Sequence, residues 1–263
     1  MERRLIARGL VAGVVGAVLA FVFARVFAEP VIGRAIAYED GRTEVEHAAG
    51  VHEHGVEVFT RGVQSNAGLG FGVLLFGVAL GALFAVLFCA AYRRAGGVGA
   101  RAFSVRLAAV AFVVVYLVPF VKYPPNPPAA GQSDTIGMRT GWYLVMVLAS
   151  VLLAIGAVWL ARRLAGRLGG WNAGLSAAAA YLVAIAVVML LLPTVDETPE
   201  PLRDNAGSIV YPGFSADVLY EFRLVSLGTQ LVLWASIGLV FSTLAGRLLG
   251  ERAETGRAAS ITA

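Results

Sequence analysis

Six stretches of this chain are nearly free of charge and rich in Leu, Val, Ala, Phe and Gly, near 5–28, 66–92, 102–121, 140–161, 173–193 and 221–246. A helix needs about 20 apolar residues to cross the hydrocarbon of a bilayer, and each stretch reaches that length. In lipid a helix satisfies its own backbone N–H and C=O groups, whereas an isolated strand leaves them bare. The pattern predicts an all-α integral membrane protein, a polytopic bundle of six transmembrane helices. The count falls to five if the first run is cleaved as a signal peptide. That run follows Arg3, Arg4 and Arg8 and ends on Val26-Phe27-Ala28, a cleavage-like tripeptide. It is longer than the 7–15-residue core of a signal peptide, and so reads as a retained helix. Residues 1–250 then form a single transmembrane domain, and 251–263 form a disordered cytoplasmic tail.

Inside the runs, small residues recur at four-residue spacing: Gly9 with Gly13, Gly16 with Ala20, Gly68 with Gly72, and Gly77 with Gly81. Such pairs let helix backbones approach closely in lipid, which fits a packed bundle or a homo-oligomer. The polar stretches between alternate runs each open on proline soon after a helix is expected to end. The first has Pro30, the second Pro119 with Pro124-Pro125-Asn126-Pro127-Pro128, and the third Pro193 with Pro199 and Pro201. Each closes on an arginine: Arg61, Arg139 and Arg223. Three helical hairpins in series would give this pattern, as would ordinary polar loops.

Composition agrees with the runs. Only 14% of the 263 residues are charged, 58% are hydrophobic, and mean hydropathy is +0.76, against about a quarter charged in a soluble domain. The net charge of +4 is no nucleic-acid footprint, since no soluble basic face carries it. The arginines collect at alternate membrane edges instead. With the N-terminus inside, 13 of the 21 basic residues fall on cytoplasmic segments, as the positive-inside bias requires. That places both termini in the cytoplasm of a cell with its inner (plasma) membrane as host. Fourteen of the 17 acidic residues fall outside, so the external face carries −6 and the internal face +10. An acidic outer surface concentrates cations.

All three histidines lie in one outer segment, Glu44 to Glu57, reading E-V-E-H-A-A-G-V-H-E-H-G-V-E. His47, His52 and His54, with Glu44, Glu46 and Glu53, offer the imidazole and carboxylate lone pairs that borderline divalent metals take. In an extended segment His52 and His54 share a face. In a helix His47 and His54 would share one, although Gly50 and Gly55 disfavour a regular helix there. The alternative is a solvated polar loop that binds nothing.

Catalytic patterns are missing: Val56 stands where a zinc-protease H-E-x-x-H would need histidine, and there is no phosphate-cradling G-x-x-x-x-G-K-[ST]. The chain reads as a non-enzyme with no permanently bound cofactor. Thr229, Ser236 and Thr243, with Ser226 and Gln230, form a polar stripe in the last run, which reads as hydrogen bonding between helices rather than a cation path. Met138, Met146 and Met189 read as packing filler. A single cysteine, Cys89, excludes an intrachain disulfide.

Several of these pieces together resemble the CbtA family of cobalt transporter subunits. They are the first run leading into Pro30 and Tyr38-Glu39, the outer His52-Glu53-His54, and Lys122-Tyr-Pro-Pro-Asn-Pro-Pro. Further along come Arg139-Thr140, Leu192-Pro193, and Phe222-Arg223 with Ser226-Leu227 and Trp234. The resemblance implies membrane transport of cobalt linked to cobalamin supply, with a small His-bearing membrane partner of the CbtB kind. Members are commonly described with about five spans, one fewer than the runs here. Two functional readings remain: a subunit of a divalent-metal importer that captures the ion at the outer loop, or a non-conducting metal-binding accessory or sensor serving a separate permease.

Overall fold

The computed structural model describes residues 1–48, 50, 68–128, 130–131, 135–195 and 197–250. His52, Glu53, His54 and the tail at 251–263 lie outside them. Helix α1 spans Glu2–Phe23 and passes through a π-helical turn, Ala24–Ala28, into α2, Glu29–Ala48. Helix α3 is Leu69–Tyr92. Helix α4, Ala100–Ala111, passes through a second π-helical turn, Phe112–Leu117, into the short α5, Val118–Lys122. Helix α6 spans Ile136–Leu191, a two-stranded antiparallel ribbon pairs β1 (Leu202–Arg203) with β2 (Ile209–Tyr211), and α7 spans Ala216–Leu248.

Among the described residues five helical segments are long and apolar enough to cross a membrane, against six apolar runs in the sequence. The difference lies in α6, which holds two of the runs. Its 56 residues are two helices joined at Gly169, whose φ of 73° and ψ of 160° are not helical. Met146 and Ile185 lie in one core cluster, whereas a straight helix would set them roughly 58 Å apart at 1.5 Å per residue. The chain folds back at Gly169, where the absence of a Cβ makes positive φ inexpensive.

The prolines correct an expectation. Pro30 does not end the first helix, which continues to Ala48, and Pro119 sits inside the first turn of α5. A proline ring collides with the carbonyl four residues back. For Pro30 and Pro119 those carbonyls belong to Val26 and Val115, and both lie in the π-helical turns. The wider turn absorbs the ring, as π-bulges do elsewhere. Helix α2 stops where glycine permits it: Gly50 has φ 86° and donates its N–H to His47 O at 3.0 Å.

The described residues form two compact units. One comprises Met1–Gly33 and the described parts of Val51–Phe112 and Leu224–Ala263. Here α1 and α3 pack backbone to backbone. A Cβ added to Gly81 would stand 2.7 Å from Gly13 Cα and collide with the Gly9 carbonyl, and one added to Gly77 would stand 2.7 Å from Ala17 Cβ. The Gly9–Gly13 and Gly77–Gly81 pairs therefore meet each other, as their spacing predicts. Gly16 packs against α7, where an added Cβ would meet Ile237 Cγ1 at 3.0 Å, while Gly72 faces open space. Phe88 and Phe241, both fully buried, stack edge-on at 5.1 Å and anchor the α3–α7 contact.

The other unit comprises Arg34–Gly50 and the described residues from Val113 to Arg223. The two arms of α6 pack around Met146, Ile185 and Tyr123, with Tyr181, Val188 and Met189 against them. Ser150 Oγ donates to Val114 O at 2.6 Å, and because that uses its one proton, Tyr181 Oη is the donor in its 2.7 Å bond to Ser150. A second small core joins Ala35, Ala130 and Phe214, with Tyr38, Val218 and Leu219 around it.

Candidate metal-capture site

Of the six residues expected to hold a metal, the described chain places three, all on the last turns of α2. Glu44 and His47 are exposed, and Glu46 is half-buried. At 100° per residue, Asp40, Glu44 and His47 (i, i+4, i+7) line one face of the helix. Asp40 is exposed as well. It was not a candidate from the sequence, although the same helical spacing marks it once the helix is known to reach Ala48. The structure does not bring Glu46 to that face. Arg42 Nε donates to Glu46 Oε1 at 3.0 Å, which engages this carboxylate in an i,i+4 pair. Burial opposes the Arg42 charge, but the hydrogen bonds with Tyr38 and Glu46 outweigh it and hold the guanidinium above its ordinary value. Among the described residues no group of three or more His, Cys, Asp or Glu side chains stands close enough to hold a metal ion.

What the unit does provide is a fixed mount for α2. Arg42 Nη1 donates to Glu200 O at 2.8 Å, Tyr38 Oη to Pro212 O at 3.1 Å, and Tyr211 Oη to Tyr38 O at 3.0 Å. The Tyr38 ring meets Phe214 edge-on at 4.9 Å and Tyr211 at 5.3 Å. Gly41 is required here, since an added Cβ would press into the Tyr211 hydroxyl. Arg34, about one helical turn before Tyr38, pairs with Glu221. Beyond the apolar part of the first helix, partial burial and then neighbouring Asp40 push the Glu39 carboxyl above the usual range.

A second polar node organises the proline segments. Glu197 is 3% exposed and accepts from Arg139 Nη1 at 2.9 Å and from the Thr135 hydroxyl. Arg139 Nη2 also donates to Pro124 O, so one ion pair ties the proline loop, the start of α6 and the segment after it. Tyr123 Oη donates to Pro193 O at 2.7 Å, and Arg223 Nη2 to Asn126 Oδ1 at 3.0 Å. The sequence pointed to Arg139 and Arg223 as loop-closing arginines. It gave no sign of Glu197, because burial of one acid among several is a tertiary property.

Two hydroxyls of the α7 stripe bond within their own helix. Thr229 Oγ1 donates to Val225 O at 2.9 Å and Thr243 Oγ1 to Val240 O at 2.8 Å. Both bonds run to carbonyls three or four residues back, a common habit of Ser and Thr in helices. Met146 is fully buried and Met189 packs against the same cluster, which is how filler behaves.

The family model described as "Probable cobalt transporter subunit (CbtA)" matches residues 2–246. No curated protein and no solved structure matches the chain.

Proposed function

The chain belongs to the CbtA family of probable cobalt transporter subunits, and from that premise we propose that it captures cobalt at an external His/Glu site and passes it to a membrane bundle. The observation that carries the reading is the rigidly mounted end of α2, which exposes Glu44 and His47 on one face immediately before His52-Glu53-His54. His47, His52 and His54 with Glu53 and Glu44 would supply imidazole and carboxylate ligands suited to a borderline divalent ion. Glu46 would join them only by leaving Arg42, so it stands as a reserve ligand. The cobalt ion is cargo here.

We further place both termini in the cytoplasm, on the arginine count, and count six crossings, with the two arms of α6 as separate spans. Membership of a subunit family implies partner subunits, and a small His-bearing membrane protein of the CbtB kind fits a chain that lacks an ATP-binding loop. The purified protein should load cobalt, and replacing His47, His52 and His54 together with Ala should lower loading at least tenfold. Unchanged loading would remove the outer site from the mechanism.

A second reading is a non-conducting metal-binding accessory or sensor that serves a separate permease. Cobalt entry into vesicles holding this protein, alone or with its small partner, would exclude the accessory reading.

A further inference from the structure

The proline-rich half is not the only part of the molecule with an unassigned site. In the other unit, the start of α1 and the end of α3 enclose a cleft of about 600 Å³ lined by Glu2, Ile6, Val86, Cys89, Ala90, Arg93 and Arg94. That volume falls within the range of about 300–1,000 Å³ typical of small-molecule sites. Its two ends differ chemically. Arg93 and Arg94, both exposed, stand at one end with Glu2. Arg94 Nη1 donates to Ala90 O at 2.8 Å, which fixes its guanidinium over the cleft wall. The rest of the wall is apolar. It continues along α3 through Val86 to Leu83, 50% and 65% exposed, which share a helical face with Ala90 at i, i+3 and i+7.

An occupant of this cleft must be anionic at one end and apolar at the other, and must reach it from the surface that α3 presents to the bilayer. We propose that the cleft binds an anionic glycerophospholipid, its phosphate gripped by Arg93 and Arg94 and its acyl chains lying along Val86 and Leu83. Guanidinium groups match phosphate oxygens in a two-pronged geometry that ammonium groups lack, and both basic residues here are arginines. Glu2 opposes the phosphate and limits the affinity. The lipid bridges α1 and α3, and so reinforces the glycine-to-glycine contact already holding those helices. This inference is independent of the metal that the protein carries.

The test uses the full chain in phosphatidylcholine nanodiscs, with phosphatidylglycerol titrated in and bound lipid counted by native mass spectrometry. Each arginine near a membrane surface is worth roughly fivefold in affinity for anionic lipid. R93Q/R94Q should therefore weaken phosphatidylglycerol binding by roughly 25-fold, and E2Q should tighten it. R162Q/R163Q, which loses the same charge at a membrane edge outside the cleft, should weaken binding much less than R93Q/R94Q does. Three results would overturn the proposal. They are equal binding by R93Q/R94Q and the unchanged protein, an equal loss in R162Q/R163Q, or displacement of the lipid by inorganic phosphate at millimolar concentration. The last would mark a free-anion site instead.

Discussion

Glu197 is the buried carboxylate of the described chain, and its worth lies in what it would leave behind if removed. Breaking a buried pair strands the partner's charge, at a cost of about 3–5 kcal/mol. Arg139 retains 21% side-chain exposure, which favours the lower end of that range. Glu197→Ala should lower the thermal midpoint of the detergent-solubilised protein by several degrees, while Glu197→Gln, which can still accept from Thr135, should lose less. Equal losses would mean that the pair with Arg139 carries the whole effect and that the Thr135 hydrogen bond adds nothing. Glu39 makes the opposite prediction. Its carboxyl is held above the ordinary range, so the folded state keeps a proton that the unfolded chain has already released. Stability from this group is complete below the unfolded value and declines as pH rises through the folded one. Glu39→Gln should thus match the unchanged protein in acid and exceed it slightly at pH 7, as read by melting at both pH values.

At the scale of elements, the apolar runs and the glycine spacings were legible because both are local. Helix spans follow from hydropathy alone, and the Gly9–Gly13 match with Gly77–Gly81 needs only two helices able to touch. Helix ends at proline were not legible. The rule that proline terminates helices assumes a regular α-helical turn behind it, and here π-helical turns stand behind Pro30 and Pro119. The second turn creates a debt that only tertiary structure meets. The i+5 partner of Val114 would be Pro119, which has no N–H, and Ser150 supplies the missing donor from α6, itself held by Tyr181. Ser150→Ala should therefore destabilise the protein by about 1 kcal/mol, the scale of a buried hydrogen bond between membrane helices. Pro119→Ala should make the same serine change less costly, because a restored N–H gives Val114 its own partner. A double-mutant cycle on thermal stability measures the coupling, and strict additivity would show that the two residues act separately.

For the molecule as a whole, the question is what the proposed outer site would contribute to transport. The proposed ligands were legible as a His/Glu cluster, but the place of Glu44, Glu46 and His47 on α2 was not. Reading Glu44 and His47 onto one helical face required knowing that the helix outlasts Pro30, and Asp40 emerged only then. A capture site raises the occupancy of the entrance at low metal without changing the barrier inside the bundle. In reconstituted vesicles, H47A/H52A/H54A should therefore raise the cobalt concentration for half-maximal uptake about tenfold or more and leave the maximal rate nearly unchanged. A protonated imidazole ring offers no lone pair to metal, so protons compete with the ion for such a site. The unchanged protein should thus lose apparent affinity as pH falls from 7.5 to 5.5, while the triple variant should show a much flatter profile. If the variant instead lost maximal rate at unchanged half-saturation, the histidines would act in translocation, and the outer segment would belong to the path rather than to its entrance.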